Sequence, residues 1–224
     1  MEIKHLHNWN LSYSAARRIQ TDLAGRVRFK ALPKKIKTAA GIDCAFSKDK
    51  KRICAVIVLL SLPDFEVVET VSAVEKVTFP YVPGLLSFRE GPVCLKAASK
   101  LRANPDVFII DGQGTAHPRR LGLACHLGLF LDRPTIGCAK SRLTGSFNDP
   151  GIEKGDYSWL KDDGEIIGAV VRTRKNVKPV FVSVGNKCLL KDAIRMTLTC
   201  AIRFRLPEPT RLAHQAVSKM RLRI

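Results

Sequence analysis

The sequence predicts one α/β domain, residues 1–224, built on a mixed sheet. Strand-like segments in the first third are joined by short polar connections, which favour antiparallel hairpins. Beyond them a helix, strand, loop, helix and strand follow in order, the pattern of crossover units and a parallel section of sheet. A 46% hydrophobic content in 224 residues is enough for a sizeable core. No repeat, linker or shift in composition divides it.

Each element has its own signal. Ala15, Ile19, Leu23 and Val27 recur four apart and predict a helix over 14–29. Pro33 and a basic cluster (Lys34, Lys35, Lys37) end it. Three strands are expected over 39–47, 53–61 and 65–77. The stretch Phe79-Pro80-Tyr81-Val82-Pro83-Gly84 cannot be regular, because two prolines fix φ and lack donors. A helix is expected from Pro92 to Leu101, then the short apolar run Val107–Ile110 as a strand closed by Asp111. The loop DGQGTAHP leads to a helix through Leu121, Ala124, Cys125 and Leu129, and to a strand over 135–139. Strands near 166–172 and 180–184, a helix over 189–204 and a basic helix after Pro209 complete the chain.

Charge narrows the function. Lys and Arg number 38 against 20 acids, a net +18, and so strong an imbalance points to a polyanionic partner, nucleic acid before an anionic membrane surface. The longest apolar run, Ile53 to Leu62, is far short of the ~20 residues a bilayer requires, and the opening MEIKHLHNWN lacks a secretory apolar stretch. Seven widely spaced cysteines without a CxxC pair indicate neither a disulfide framework nor a zinc site. The expectation is a soluble, cytoplasmic, monomeric protein that does not engage membranes.

With so few acids, those inside apolar segments stand out. Asp43 lies mid-strand in GIDCAF, Asp111 closes VFIID where a parallel strand ends, and Glu90 follows the Pro/Gly loop. Ligand sites in open α/β sheets gather at such carboxyl ends. Singly, each acid reads as well as a capped or ion-paired residue. Together they suit a hard divalent cation. Asp111-Gly112-Gln113-Gly114 is not GxGxxG; it is either a tight turn or a place where backbone approaches a flat or anionic ligand. His117 and His214 are candidate ligands, proton carriers or phosphate contacts, with a surface or satisfied histidine as the default. Lys140, just past the strand at 135–139, would project from the same sheet edge as Asp111.

PYVPGLLSFREGP (80–92), IIDGQGTAHPRRLGLACHLG (109–128) and IGCAKSRLTG (136–145) resemble the signature segments of the endonuclease V family. These are deoxyinosine-directed DNA repair nucleases with an RNase H-like fold. The resemblance implies a three-stranded antiparallel unit followed by parallel strands, acting as a single catalytic domain. It implies that Asp43 and Asp111 bind metal with Glu90 as the third acid, that His214 is the site histidine, and that Lys140 lies near the scissile phosphate. Tyr81, with Pro80, would form the wedge beside the lesion. Gly84, Leu86, Gly112 and Gly114 would line the hypoxanthine pocket, with His117 nearby.

The implied activity is Mg²⁺-dependent hydrolysis, with Mn²⁺ able to substitute, of the second phosphodiester 3′ to deoxyinosine. It leaves a 3′-hydroxyl and a 5′-phosphate. Two alternatives stay open: an endoribonuclease acting on inosine in RNA, and a non-catalytic nucleic-acid-binding protein on the same fold. Candidate phosphate contacts are Arg119, Arg120, Lys140, Arg142, Arg211, Lys219, Arg221 and Arg223.

Overall fold

The computed structural model describes residues 1–224. Near one edge of its sheet runs the strand β2 (Arg52–Ser61), whose interior residues are all buried. Alternation along β2 serves two cores at once. Ile53, Ala55, Ile57 and Leu59 face one helical layer, whereas Cys54, Val56, Val58 and Leu60 face the other. Its antiparallel neighbours are β1 (Thr38–Phe46) and β3 (Val67–Lys76), as the short connections predict.

Parallel pairing then carries the sheet from β1 to β4 (Val107–Ile110) and β5 (Thr135–Ala139). The far end is an antiparallel meander of β6 (Tyr157–Asp162), β7 (Glu165–Val171) and β8 (Val180–Asn186). The eight strands run in the order β3-β2-β1-β4-β5-β8-β7-β6, an RNase H-like mixed sheet.

Five helices cover it. On one face lie α2 (Leu86–Ala98) and α3 (Leu123–Leu131), packed on Ala40, Ile42, Phe108 and Ile110, with α1 (Tyr13–Ala24) against α3. On the other lie α4 (Leu190–Cys200), over Val107, Ile109 and Val182, and α5 (Glu208–Met220), over Val56 and Val58. No helix is long and apolar enough to cross a membrane.

Two elements differ from expectation. Helix α2 begins at Leu86 rather than Pro92, and Pro92 lies inside it. Proline in a helix interior removes a hydrogen bond, but Phe88, Val93, Cys94, Leu95, Ala97 and Ala98 bury one broad face of α2 and outweigh that loss. Glu90 therefore sits on the helix, not ahead of it. The unexpected strand is β6, an edge strand in which only Leu160 is fully buried.

Candidate active site

Strand register brings the first two acids together. Ile42 pairs with Ile110 in parallel, and the Asp111 N–H donates to the Ile42 carbonyl at 3.2 Å, so Asp43 within β1 is adjacent to Asp111 at the end of β4. Ile42 and Ile110 face α2 and α3, so the next residue of each strand turns to the α5 side. There His214 meets them, its Nδ1 donating to Asp43 Oδ2 at 2.6 Å. Helix α5 comes that close because residue 41 is glycine: a Cβ there would lie 2.0 Å from the Pro209 carbonyl carbon and oxygen.

One ligand atom each from Asp43, Asp111 and His214 lie within 4.8 Å of one another. Burial first, and the Asp111 charge second, raise the Asp43 pKa against the opposing His214 and Lys140. Glu90 stands outside this trio, yet burial and the Asp43 and Asp111 charges push it up to about 8. Carboxylates that crowd one another in this way, with an imidazole beside them, form a donor set that fits a divalent cation. Lys140 is ion-paired with Asp111 at the end of β5. Its carbonyl accepts from Arg205 Nη2 at 2.7 Å, which anchors the backbone beneath it.

Beside the acids opens a cavity of about 340 Å³, within the range of small-ligand sites. Gly84, Leu86, Gly112 and His117 line it, as do Tyr81, Asp111 and Lys140. Tyr81 is 67% exposed at its mouth. Pro80 is exposed next to it but is not part of the lining.

Gly114 also falls outside the lining. Its N–H donates to Ser183 Oγ at 2.8 Å, and a Cβ would sit 2.0 Å from the Val184 carbonyl oxygen. This glycine lets the loop pack on β8.

His117 is 3% exposed. Its Nε2 donates to the Gly84 carbonyl at 2.9 Å and its Nδ1 accepts the Arg119 N–H at 3.1 Å. Burial lowers its pKa to about 4, so the ring is neutral and both nitrogens are occupied by the loop. Two helices start at the cavity, α2 after Leu85 and α3 after Gly122, and neither start has a side-chain cap.

Several lining residues were not foreseen from sequence. Ser141 and Leu143 flank Arg142 within a recognised segment, so adjacency could have found them. Gln20 carried only a faint signal, a polar residue on the buried face of α1 formed with Ala16 and Leu23. Among the expected phosphate contacts, Arg119 is bound to Gln20 and Gly84. Arg120 pairs with Asp162 and Glu165, and Arg211 with Glu208. Arg142 remains at the cavity, and Arg221 joins Lys48 and Lys50 around a second cavity on the other side of His214.

Comparison with known proteins gives the family of the whole chain. The family description "Endonuclease V" matches residues 21–215. An endonuclease V of Methanothrix thermoacetophila is 50% identical over 96% of this chain and 94% of its own. The crystal structure of the Bacillus subtilis enzyme is 35% identical, with a TM-score of 0.94 over 99% of this chain and 97% of that one. A Ciona intestinalis endonuclease V has a TM-score of 0.80 at 29% identity over 93% and 96% of the two chains; it was crystallised with a 23mer DNA containing an inosine followed by a ribo-adenosine. By sequence and by fold, this chain belongs to the endonuclease V family of phosphodiester-hydrolysing nucleases.

Proposed function

We propose that residues 1–224 act as one catalytic domain, a cytoplasmic, monomeric DNA repair enzyme that everts deoxyinosine and cuts the second phosphodiester on its 3′ side. The observation that carries this reading is a shared wall. Asp111 and Lys140 belong both to the acidic centre and to the lining of the neighbouring cavity. A purine held in the cavity leaves its own strand running past the acids. The Ciona relative, with its bound inosine-containing DNA, supports the substrate class.

Eversion costs a few kcal/mol, and least for a poorly paired base such as hypoxanthine. Tyr81, exposed at the mouth with Pro80 behind it, fills the gap in the stack as inserted side chains do elsewhere. Hypoxanthine carries a carbonyl where adenine has an amine. The start of α2 offers N–H groups and a positive dipole end, which suit that acceptor and reject a donor, whereas at the start of α3 the Ala124 N–H is already spent on the Gln113 carbonyl at 2.9 Å.

At the phosphate, Asp43 and Asp111 would hold a divalent cation, Mg²⁺ with Mn²⁺ as a substitute, and Glu90 would orient the attacking water. The cation supplies Lewis-acid polarisation and neutralises charge in the transition state. His214 fixes the Asp43 carboxylate through its 2.6 Å hydrogen bond. Lys140, paired with Asp111 at the cavity wall, would place its ammonium where it neutralises a phosphate oxygen. The water oxygen bonds to phosphorus and gives up a proton to solvent, the bond from phosphorus to O3′ breaks, and O3′ takes a proton from solvent to leave a 3′-hydroxyl and a 5′-phosphate.

The test compares duplexes that differ only in deoxyinosine versus deoxyadenosine, with Mg²⁺ and with a chelator. Nicking confined to the deoxyinosine strand and abolished by chelation is expected. Equal nicking of both duplexes would reject the reading. A ribonucleotide follows the inosine in the Ciona complex, which favours inosine-containing RNA as a second substrate. Matched deoxyinosine and inosine single strands rank the two.

A further inference from the structure

Helix α1 contributes nothing to the acidic centre, yet one of its side chains reaches the loop beside the base cavity. Gln20 is 1% exposed, and its amide is engaged at both ends. Nε2 donates to the Gly84 carbonyl at 3.0 Å and to the Leu121 carbonyl at 3.1 Å. Oε1 accepts from Arg119 Nε at 2.7 Å. Arg119 Nη2 and His117 Nε2 then donate to the same Gly84 oxygen, at 2.8 and 2.9 Å. Three donors thus converge on one carbonyl, which has two lone pairs. That oxygen is saturated and closed to a bound base.

Gly84 ends the segment that carries Tyr81, and it has φ +76°, a conformation that needs to be held. Two prolines leave residues 80–84 short of donors, and the turn from Leu85 N–H to the Val82 carbonyl at 2.9 Å does not tie the segment to the rest of the protein. Apolar anchors stand at either end: Phe79 and Leu85 pack in one cluster with Ala16, one helical turn before Gln20 on α1. The helix therefore grips the segment twice, by an apolar contact at its base and by an amide latch at its tip.

We infer that Gln20 is a positioning residue: through the Gly84 carbonyl it sets the height and stiffness of the Tyr81 loop, and so the ease with which a base is everted. It stands one residue before the stretch that matches the family. The inference rests on Tyr81 acting as the wedge, and it goes further by placing control of the wedge in α1. Glutamine suits the task because it donates and accepts at once. Glutamate would keep the bond to Arg119 but set an oxygen against two carbonyl oxygens.

The experiment measures nicking of deoxyinosine in a duplex and in a single strand by wild type, Gln20→Leu, Gln20→Glu, Tyr81→Ala and the Gln20→Leu/Tyr81→Ala pair. Loss of a buried hydrogen-bonded anchor corresponds to about a tenfold effect. The duplex-to-single-strand ratio should fall by about that factor in both Gln20 variants. The pair should be no worse than Tyr81→Ala alone, because a wedge that is missing needs no latch. Equal losses on both substrates, or losses that multiply in the pair, would overturn the inference. So would a wild-type ratio in Gln20→Glu, which would reduce Gln20 to an anchor for Arg119.

Should Gln20→Leu not fold, as judged by its melting transition, Gln20→Glu carries the same comparison. Fluorescence of 2-aminopurine next to the lesion, read without divalent cation, reports eversion apart from cleavage. Wild type that fails to nick deoxyinosine DNA would instead sink the functional reading. Wild type that nicks while the Gln20 ratios stay unchanged would sink this inference alone.

Discussion

The acidic centre and the base cavity share a wall but are built on opposite terms. In the first, two carboxylates and an imidazole crowd together, and burial with the Asp111 charge raises the Asp43 pKa. In the second, glycines, backbone groups and a neutral histidine are locked by hydrogen bonds. A centre that must attract a cation keeps its repulsion. A slot that must discriminate one base needs a fixed shape, and the His117 ring and the Gly84 carbonyl beside it are held by hydrogen bonds. Damage to the first should therefore remove chemistry and leave recognition, and damage to the second should do the reverse.

The largest effect should come from the acids. Asp43→Ala or Asp111→Ala should lower nicking by on the order of a thousandfold, since a bound cation supplies several kcal/mol of transition-state stabilisation. Affinity for a deoxyinosine strand, measured by fluorescence anisotropy, should persist. Nicking by either variant at the wild-type rate would remove the cation site from the proposal.

Gly41→Ala attacks the centre from beneath. The added methyl would meet Pro209 backbone atoms at 2.0 Å, so α5 and His214 must move away from Asp43. Overpacking of this kind costs about 1–3 kcal/mol, measurable as a lower urea midpoint, together with slower nicking. Gly25→Ala is the control, because a Cβ there meets nothing within 4 Å. Equal behaviour of the two variants would show that the close approach of α5 is unimportant.

Acidity should loosen the recognition side. His126 is buried behind the slot, hydrogen-bonded to Ser87 and His7, and burial lowers its pKa from 6.5 to about 3. Its folded pKa lies below its unfolded one, so its contribution is complete above pH 6.5 and is lost as pH falls toward 3. The loss is about 1.4 kcal/mol per pH unit, or about 2 kcal/mol by pH 5. His126→Gln should flatten this dependence by close to one proton in urea titrations across pH 5–7. An unchanged slope would mean that His126 does not titrate on unfolding.

Tyr81→Ala should have the smallest effect. Stacking of one aromatic on a base is worth about 1–3 kcal/mol, so lesion affinity should weaken by about tenfold. Cation binding, read by calorimetry, should be unchanged. Unaltered affinity would reject the wedge.

How much of this was readable in advance followed the range of the interactions. Asp43 and Asp111 were visible because several carboxylates set in apolar segments together suit a cation better than each does alone, and parallel pairing set them side by side. His214 was visible from its residues only as an open candidate, and its place in the site came through family resemblance. Nothing in EPTRLAHQAVSKM tells that its histidine meets Asp43, because that meeting depends on a glycine 173 positions earlier in the chain. Gly114 looked like a ligand-facing glycine and is a packing one, a distinction made by β8 rather than by the loop. The start of α2 was missed because Pro92 reads as a helix opening, although it is carried within a helix by the buried face around it. Strand β6 has the polar alternation of an edge and buries too little to announce itself. Local chemistry was legible; contacts between distant segments were not.

The proximity of slot and acids is tested most directly by mapping the cut. A labelled duplex with one deoxyinosine at a known position is incubated with the full-length enzyme and Mg²⁺, and the products are sized to a single nucleotide. One break at the second phosphodiester on the 3′ side, ending in a 3′-hydroxyl, is the expected result. Breaks scattered along the strand, or unmoved when the deoxyinosine is moved, would contradict the coupling of the two regions.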